Sequence, residues 1–188
     1  MRHPIPTALW LAGSVFLSAC VRDQGAEAEK ALKDINVIDE SNLSDIMLTV
    51  GDPNEAVAYF AKASAANPER ADLKRGLAKS LIKAQKPLEA AKVWRELAYS
   101  AQGTSEDRVG LADALIRNND WKAAEAELNQ VPPTHETFER YRLEAMVADA
   151  NKKWKKSDSF YETAFGLTTK PSGILNNWGY SKLTRGDF

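Results

Sequence analysis

The chain has 188 residues, of which 44% are hydrophobic and 27% charged, with a formal net charge of −1 at neutral pH. That length suits one domain or a short array, the apolar share suffices for a core, and the near-neutral charge supplies no global field toward nucleic acid or acidic lipid. Disordered, collagen-like and polytopic membrane classes are excluded.

In chain order the first element is a targeting segment. "MRHPIPTALWLAGSVFLSAC" starts basic at Arg2, runs apolar from Ile5 to Leu17 and closes on small residues. The run is short against about 30 Å of hydrocarbon and has no basic stop, which is the pattern of a secretory signal rather than a permanent span. Its end, Leu17-Ser18-Ala19-Cys20, resembles the bacterial lipobox, and Cys20 is the single cysteine of the chain. A lone cysteine there has no disulfide or metal partner, whereas acylation has a use for it. An ordinary signal peptide with a chance cysteine is the alternative. The resemblance implies that residues 1–19 are a lipoprotein signal peptide and that Cys20 is lipidated as the first mature residue. Several acyl chains, each worth about 0.8 kcal/mol per buried methylene, then hold the protein on a membrane. Val21 follows the cysteine, where aspartate favours inner-membrane retention in enterobacterial-type lipoproteins. The resemblance therefore implies the outer membrane, facing the periplasm. Residues 20–36 form the lipidated N-terminus and a polar tether, and residues 37–188 a repeat domain.

Leu43-Ser44, Leu77-Ala78 and Leu111-Ala112 recur with a step of 34 residues, and Ala56, Ala90 and Ala124 keep the same step. Four residues beyond each alanine of the second set stand Phe60, Trp94 and Leu128, and seven beyond stand Ala63, Leu97 and Val131. Pro68 closes the first unit. A fourth unit, carried by Ala145, Ser157, Tyr161 and Ala164, fits if one connection is a residue shorter, and Pro132-Pro133 supplies the cause by stopping the preceding helix early. Pro53, Pro87, Trp121 and Trp154 share the column at the turn between the helices of a unit. A fifth unit opens at Ser172 with Gly179 in the small-residue column, and Gly186-Asp187-Phe188 has the look of an inter-helix turn. That turn predicts a chain interrupted in mid-repeat, with a second helix due to follow and with Trp178 and Leu183 exposed.

Small side chains on a fixed period mark where paired helices approach closest, and the large residues fill the groove against the next unit. These columns resemble the tetratricopeptide repeat, and "DPNEAVAYFAKASAANP" from Asp52 to Pro68 matches the second helix of such a unit. The resemblance implies an all-α, right-handed solenoid of helix-turn-helix repeats, about four and a half units long.

Little chemistry is on offer. After cleavage of the leader one histidine remains, His135, in a loop beside prolines, where a solvated polar role is expected. With Cys20 acylated no cysteine–histidine metal cluster can form, and no glycine-rich phosphate cradle follows a strand. We therefore expect no catalytic residues, no metal and no cofactor. Trp94, Trp121, Trp154 and Trp178 fall in columns that pack internally and are read as core.

The resemblance places function on the concave face lined by first helices. Arg75, Lys79 and Lys83 are spaced i, i+4, i+8 and make a basic stripe. Later units add Asp113 and Arg117, Arg142 and Asp149, and Asn176 and Tyr180. Such a groove resembles those that grip extended or helical peptides, and the stripe suits an acidic segment or a C-terminal carboxylate. A solvated charged face is the alternative. The lysine and asparagine clamp of eukaryotic chaperone-binding repeats is absent.

Among repeat lipoproteins of this length the chain most resembles the TadD family of the tight-adherence (Flp) pilus. The grounds are the short leader, the brief tether and the Asn176-Asn177-Trp178-Gly179 of the late repeat. That resemblance implies a protein-binding scaffold that assists assembly or targeting of the outer-membrane secretin. A general adaptor for type IV pilus, outer-membrane protein insertion or peptidoglycan machinery is the alternative, and an enzyme using His135 is the rival from another class. The lipid anchor is tested by a Cys20→Ala variant, which should leave the membrane fraction. Fractionation identical to the wild type would contradict it.

Overall fold

The computed structural model describes residues 42–187. The expectations for the signal peptide, Cys20 and the tether lie outside the described residues. Contacts divide the chain between Leu43 and Ser44, and the unit from Ser44 onward carries the helical repeats. Residues 42–49 are helical (α1). Eight helices come after it, α2 Pro53–Ala66, α3 Ala71–Lys83, α4 Pro87–Ala98, α5 Ser105–Arg117, α6 Trp121–Leu128, α7 Phe138–Ala150, α8 Trp154–Gly166 and α9 Ser172–Arg185. No strand occurs among the described residues.

Helix starts follow local chemistry. Pro53 and Pro87 sit in the first turn of α2 and α4, where a missing N–H costs nothing. Asp52 accepts from the N–H groups of Asn54 and Glu55 at 2.9 and 3.2 Å. Thr104 and Asp107 form a reciprocal capping box at α5, and Asp120 and Thr137 cap α6 and α7. Helix ends are equally regular. Gln85, Asn119, Lys152 and Gly186 take the left-handed conformation, with φ of 58°, 62°, 56° and 76°. After each, the next N–H reaches five residues back to Leu81, Leu115, Ala148 or Lys182 at 2.8–2.9 Å. This satisfies carbonyls the helix would leave bare. α9 thus ends on the same turn that joins the helices of the three preceding pairs.

Pairs α3/α4, α5/α6 and α7/α8 stack in sequence, and among the first helices α7 also touches α5 and α9. In the three middle units the small-residue columns are where the sequence places them. Ala78, Ala112 and Ala145 on the first helices and Ala90, Ala124 and Ser157 on the second are fully buried, whereas Ser44 is half-buried and Gly179 is exposed. α6 spans 8 residues against 12 to 14 for α2 to α5 and α7 to α9, as Pro132-Pro133 requires. The core falls into three clusters, with Leu77 and Met146 packing against two each.

A further column joins one pair to the next. Phe60 lies over Gly76 and Trp94 over Gly110, both glycines standing in the helix that opens the following pair. A Cβ on Gly110 would fall 2.7 Å from the Trp94 indole, so only glycine admits the ring there. At the next interface a smaller Leu128 occupies the ring column and Leu143 the glycine column, both buried. The seam is filled from both sides there rather than from one. Tyr161 ends the series, buried, with Trp178 stacked on it at 6.0 Å.

Of the tryptophans read as core, Trp94 is buried, whereas Trp121, Trp154 and Trp178 are half-buried. Trp121 and Trp154 open α6 and α8, and Trp178 lies on α9. Trp178 is consequently not exposed as expected: its indole N–H donates to Asp158 at 2.7 Å. Leu183 is exposed.

Gly76→Ala should destabilise by about 1–3 kcal/mol, because the added methyl overpacks Phe60. Gly179→Ala, at a helical site with nothing within 4 Å, should instead stabilise by about 0.5–1 kcal/mol through helix propensity. Urea midpoints moving in opposite directions check both.

Candidate protein-binding groove

The first helices bring their groove-facing residues together around Trp94. One cavity of about 350 Å³ is lined by Arg75, Lys79, Trp94, Asp107, Gly110, Asp113, His135 and Arg142, among others. A second, of about 470 Å³, is lined by Asp45, Leu48, Lys79, Lys83, Trp94, Gly110 and Asp113. Trp94, Gly110, Lys79 and Asp113 are common to both. The contact that joins two pairs is thus also the floor of the groove.

The stripe Arg75, Lys79, Lys83 is not uniformly basic. Arg75 makes a two-pronged bond to Asp107, Nε to Oδ1 at 2.7 Å and Nη2 to Oδ2 at 2.8 Å, and also donates to the Gln102 carbonyl. Lys83 donates through Nζ to the Leu48 carbonyl. Lys79 has no hydrogen bond or ion pair among the described residues and is exposed. Of the three cations Arg75 is ion-paired, Lys83 is held by a neutral carbonyl that leaves its charge in place, and Lys79 makes no bond among the described residues.

Arg117 and Arg142 converge on Asp113 from two helices, at 2.8 and 3.3 Å. Asn176 and Tyr180 stand apart from these, lining a cavity of about 430 Å³ with Trp121, Met146, Asp149 and Tyr161. The candidate residues therefore divide into a set around Trp94 and a set around Asp149.

His135, expected in solvent, is 14% exposed, with Nδ1 3.8 Å from a Glu106 carboxylate oxygen. It closes the first cavity's wall where the third pair turns into the fourth. Among the described residues no three histidine, cysteine, aspartate or glutamate side chains gather as a metal site.

Asp107, Gly76 and Gly110 are structural residues outside the columns read above. The Thr104-x-x-Asp107 pattern signals a helix start, but nothing local shows that the same carboxylate would meet Arg75, 32 residues away. Gly76 and Gly110 hold the repeat's own step of 34 residues, a signal that could have found them. Asp107 is completely buried. Burial raises its pKa, but the bonds from Arg75 and from the Thr104 N–H outweigh burial and hold the carboxyl below its usual range.

Residues 47–106 match the family model of the tetratricopeptide repeat. No curated protein is similar enough to count as a match. Among solved structures the chain is similar to MamA from Desulfovibrio magneticus RS-1, at 16% identity over 78% of this chain and 84% of that one, with a TM-score of 0.62. An RS-1 MamA double mutant gives 16% identity, 78% and 83% coverage and a TM-score of 0.61. A further MamA crystal structure gives 19%, 77%, 85% and 0.60. At these identities the likeness carries the fold alone, and the fold is the all-α tetratricopeptide solenoid that the family resemblance implied.

Asp107→Asn should cost about 3 kcal/mol at neutral pH, toward the low end for a broken buried pair because Arg75 is partly solvated. The folded carboxyl titrates below its unfolded value, so its contribution is complete above about pH 4 and is lost as pH falls through the folded value. Denaturation at pH 7 and pH 3 should show the gap between wild type and variant narrowing in acid.

Proposed function

We propose that the chain is a protein-binding scaffold whose first-helix groove receives a segment of a partner protein, held on the periplasmic face of the outer membrane by the acylated Cys20. Its place is in assembly of the Flp/Tad pilus apparatus, where it assists assembly or targeting of the secretin.

The observation that carries the groove reading is Lys79. It projects from α3 over the Trp94 floor, borders two adjoining cavities of about 350 and 470 Å³, and lacks an internal counterion among the described residues. A desolvated floor beside an uncommitted cation is suited to a peptide segment that brings an acidic group, through a charge-assisted hydrogen bond. The tetratricopeptide fold supports protein partners in general. The pilus assignment rests on the leader, the tether and the late-repeat residues Asn176 to Gly179. The adaptor role in type IV pilus, barrel-insertion or peptidoglycan machinery is the competing assignment.

Affinity purification of the full chain from membranes, read by mass spectrometry, should recover a secretin. Lys79→Glu should lower that recovery several-fold through like-charge contact. Recovery of only barrel-insertion or cell-wall proteins would overturn the pilus assignment, and recovery indifferent to Lys79→Glu would overturn the groove.

A further inference from the structure

The set of residues around Asp149 differs in sign and composition from the set around Trp94. Asp149 stands in the last turn of α7, half-buried. Its Oδ2 accepts from the Tyr161 hydroxyl at 3.1 Å and its Oδ1 from the Ser181 hydroxyl at 2.8 Å. Burial, and then the charge of Asp149, push the Tyr161 hydroxyl upward, so it remains a donor. Each carboxylate oxygen keeps acceptor capacity beyond that one bond. Two neutral donors leave the negative charge itself uncompensated.

No cation among the described residues pairs with it. Arg142, on the same helix, goes to Asp113. On α9, Lys182 goes to Asp187 and Arg185 to Asp158 and Asp187. Lys153, at the start of α8, reaches Glu125 instead.

The carboxylate borders a cavity of about 430 Å³ whose other walls include Trp121, Tyr161 and Tyr180. The Trp121 indole N–H is already satisfied by Asn119 at 2.7 Å, which leaves its ring surface without a polar demand. Tyr180 is 68% exposed and has no internal packing role that would explain an aromatic there. Aromatic faces around an unneutralised carboxylate form a receptor for a cation, guanidinium above ammonium because it also stacks.

We propose that this cavity receives a basic side chain of the bound partner, arginine before lysine, with Asp149 as its counterion and Trp121 and Tyr180 as its aromatic walls. The inference rests on the groove reading and extends it. The partner segment carries an acidic group toward Lys79 and a basic one toward Asp149, which fixes the direction in which it lies.

The test is an NMR titration of the isotope-labelled full chain with acetyl-Ala-Ala-Arg-Ala-Ala-amide, and with peptides carrying citrulline or lysine in place of arginine. Saturable shifts should centre on the Trp121 indole, Asn176 and Tyr180. The citrulline peptide, isosteric but neutral, should bind at least about tenfold more weakly, and lysine should fall between. Tyr180→Ala should weaken the arginine peptide several-fold with an unchanged melting temperature. Asp149→Asn, which keeps an acceptor for the hydroxyls, should abolish the preference for arginine over citrulline. Equal shifts from arginine and citrulline peptides, shifts centred elsewhere, or none would overturn the proposal. Because the probe contains no partner, the two readings fail separately: a cavity blind to arginine while capture persists sinks only this inference. Failed capture with an arginine-selective cavity sinks only the proposed scaffold role.

Discussion

An aromatic ring driven into the notch left by a glycine is the contact on which the first half of this solenoid depends. A helix pair of this kind buries one face internally and must bury the other against a neighbour. Phe60 over Gly76 and Trp94 over Gly110 make that second burial close enough to exclude water. Each buried ring contributes about 2–3 kcal/mol, and the glycines, which weaken their own helices by roughly 1 kcal/mol, are the cost of admitting them. The third interface is filled instead by Leu128 and Leu143, both buried. One constraint, a filled seam between pairs, thus has two solutions along one chain.

The groove inherits its character from that seam. Trp94 is held by Gly110 from below and borders two cavities above, so the residue that fastens two pairs also supplies the apolar floor. Around it the ion pairs remove more charge than they present. Asp107, buried, consumes Arg75, and Asp113 draws in both Arg117 and Arg142. What remains is sparse and of both signs, and it includes Lys79 beside Trp94 and Asp149 beside Tyr180.

The columns were legible because close helix approach admits only small side chains, and a structural period repeats that demand every 34 residues. Helix starts at Pro53, Pro87, Trp121 and Trp154 and the early stop before Pro132 were legible for equally local reasons. The electrostatics were not. A stripe of Arg75, Lys79 and Lys83 reads as basic on one helix, and only tertiary contact shows that Asp107 and the Leu48 carbonyl occupy two of the three. His135 differs from its expected solvated state for the same reason, since its half-burial at a repeat junction is not written in its neighbours. The charge on Asp149 gains meaning only once α7 and α9 are seen to bring it beside Tyr180.

The seam is tested most directly by a double-mutant cycle between Trp94→Leu and Gly110→Ala, which carries the second interface toward the leucine-filled solution of the third. Trp94→Leu opens a void, Gly110→Ala overpacks, and together each relieves the other. Equilibrium unfolding should give a double variant more stable than the sum of the single changes by about 1–3 kcal/mol. Strict additivity would show that the ring and the glycine do not share one space, and would contradict the account.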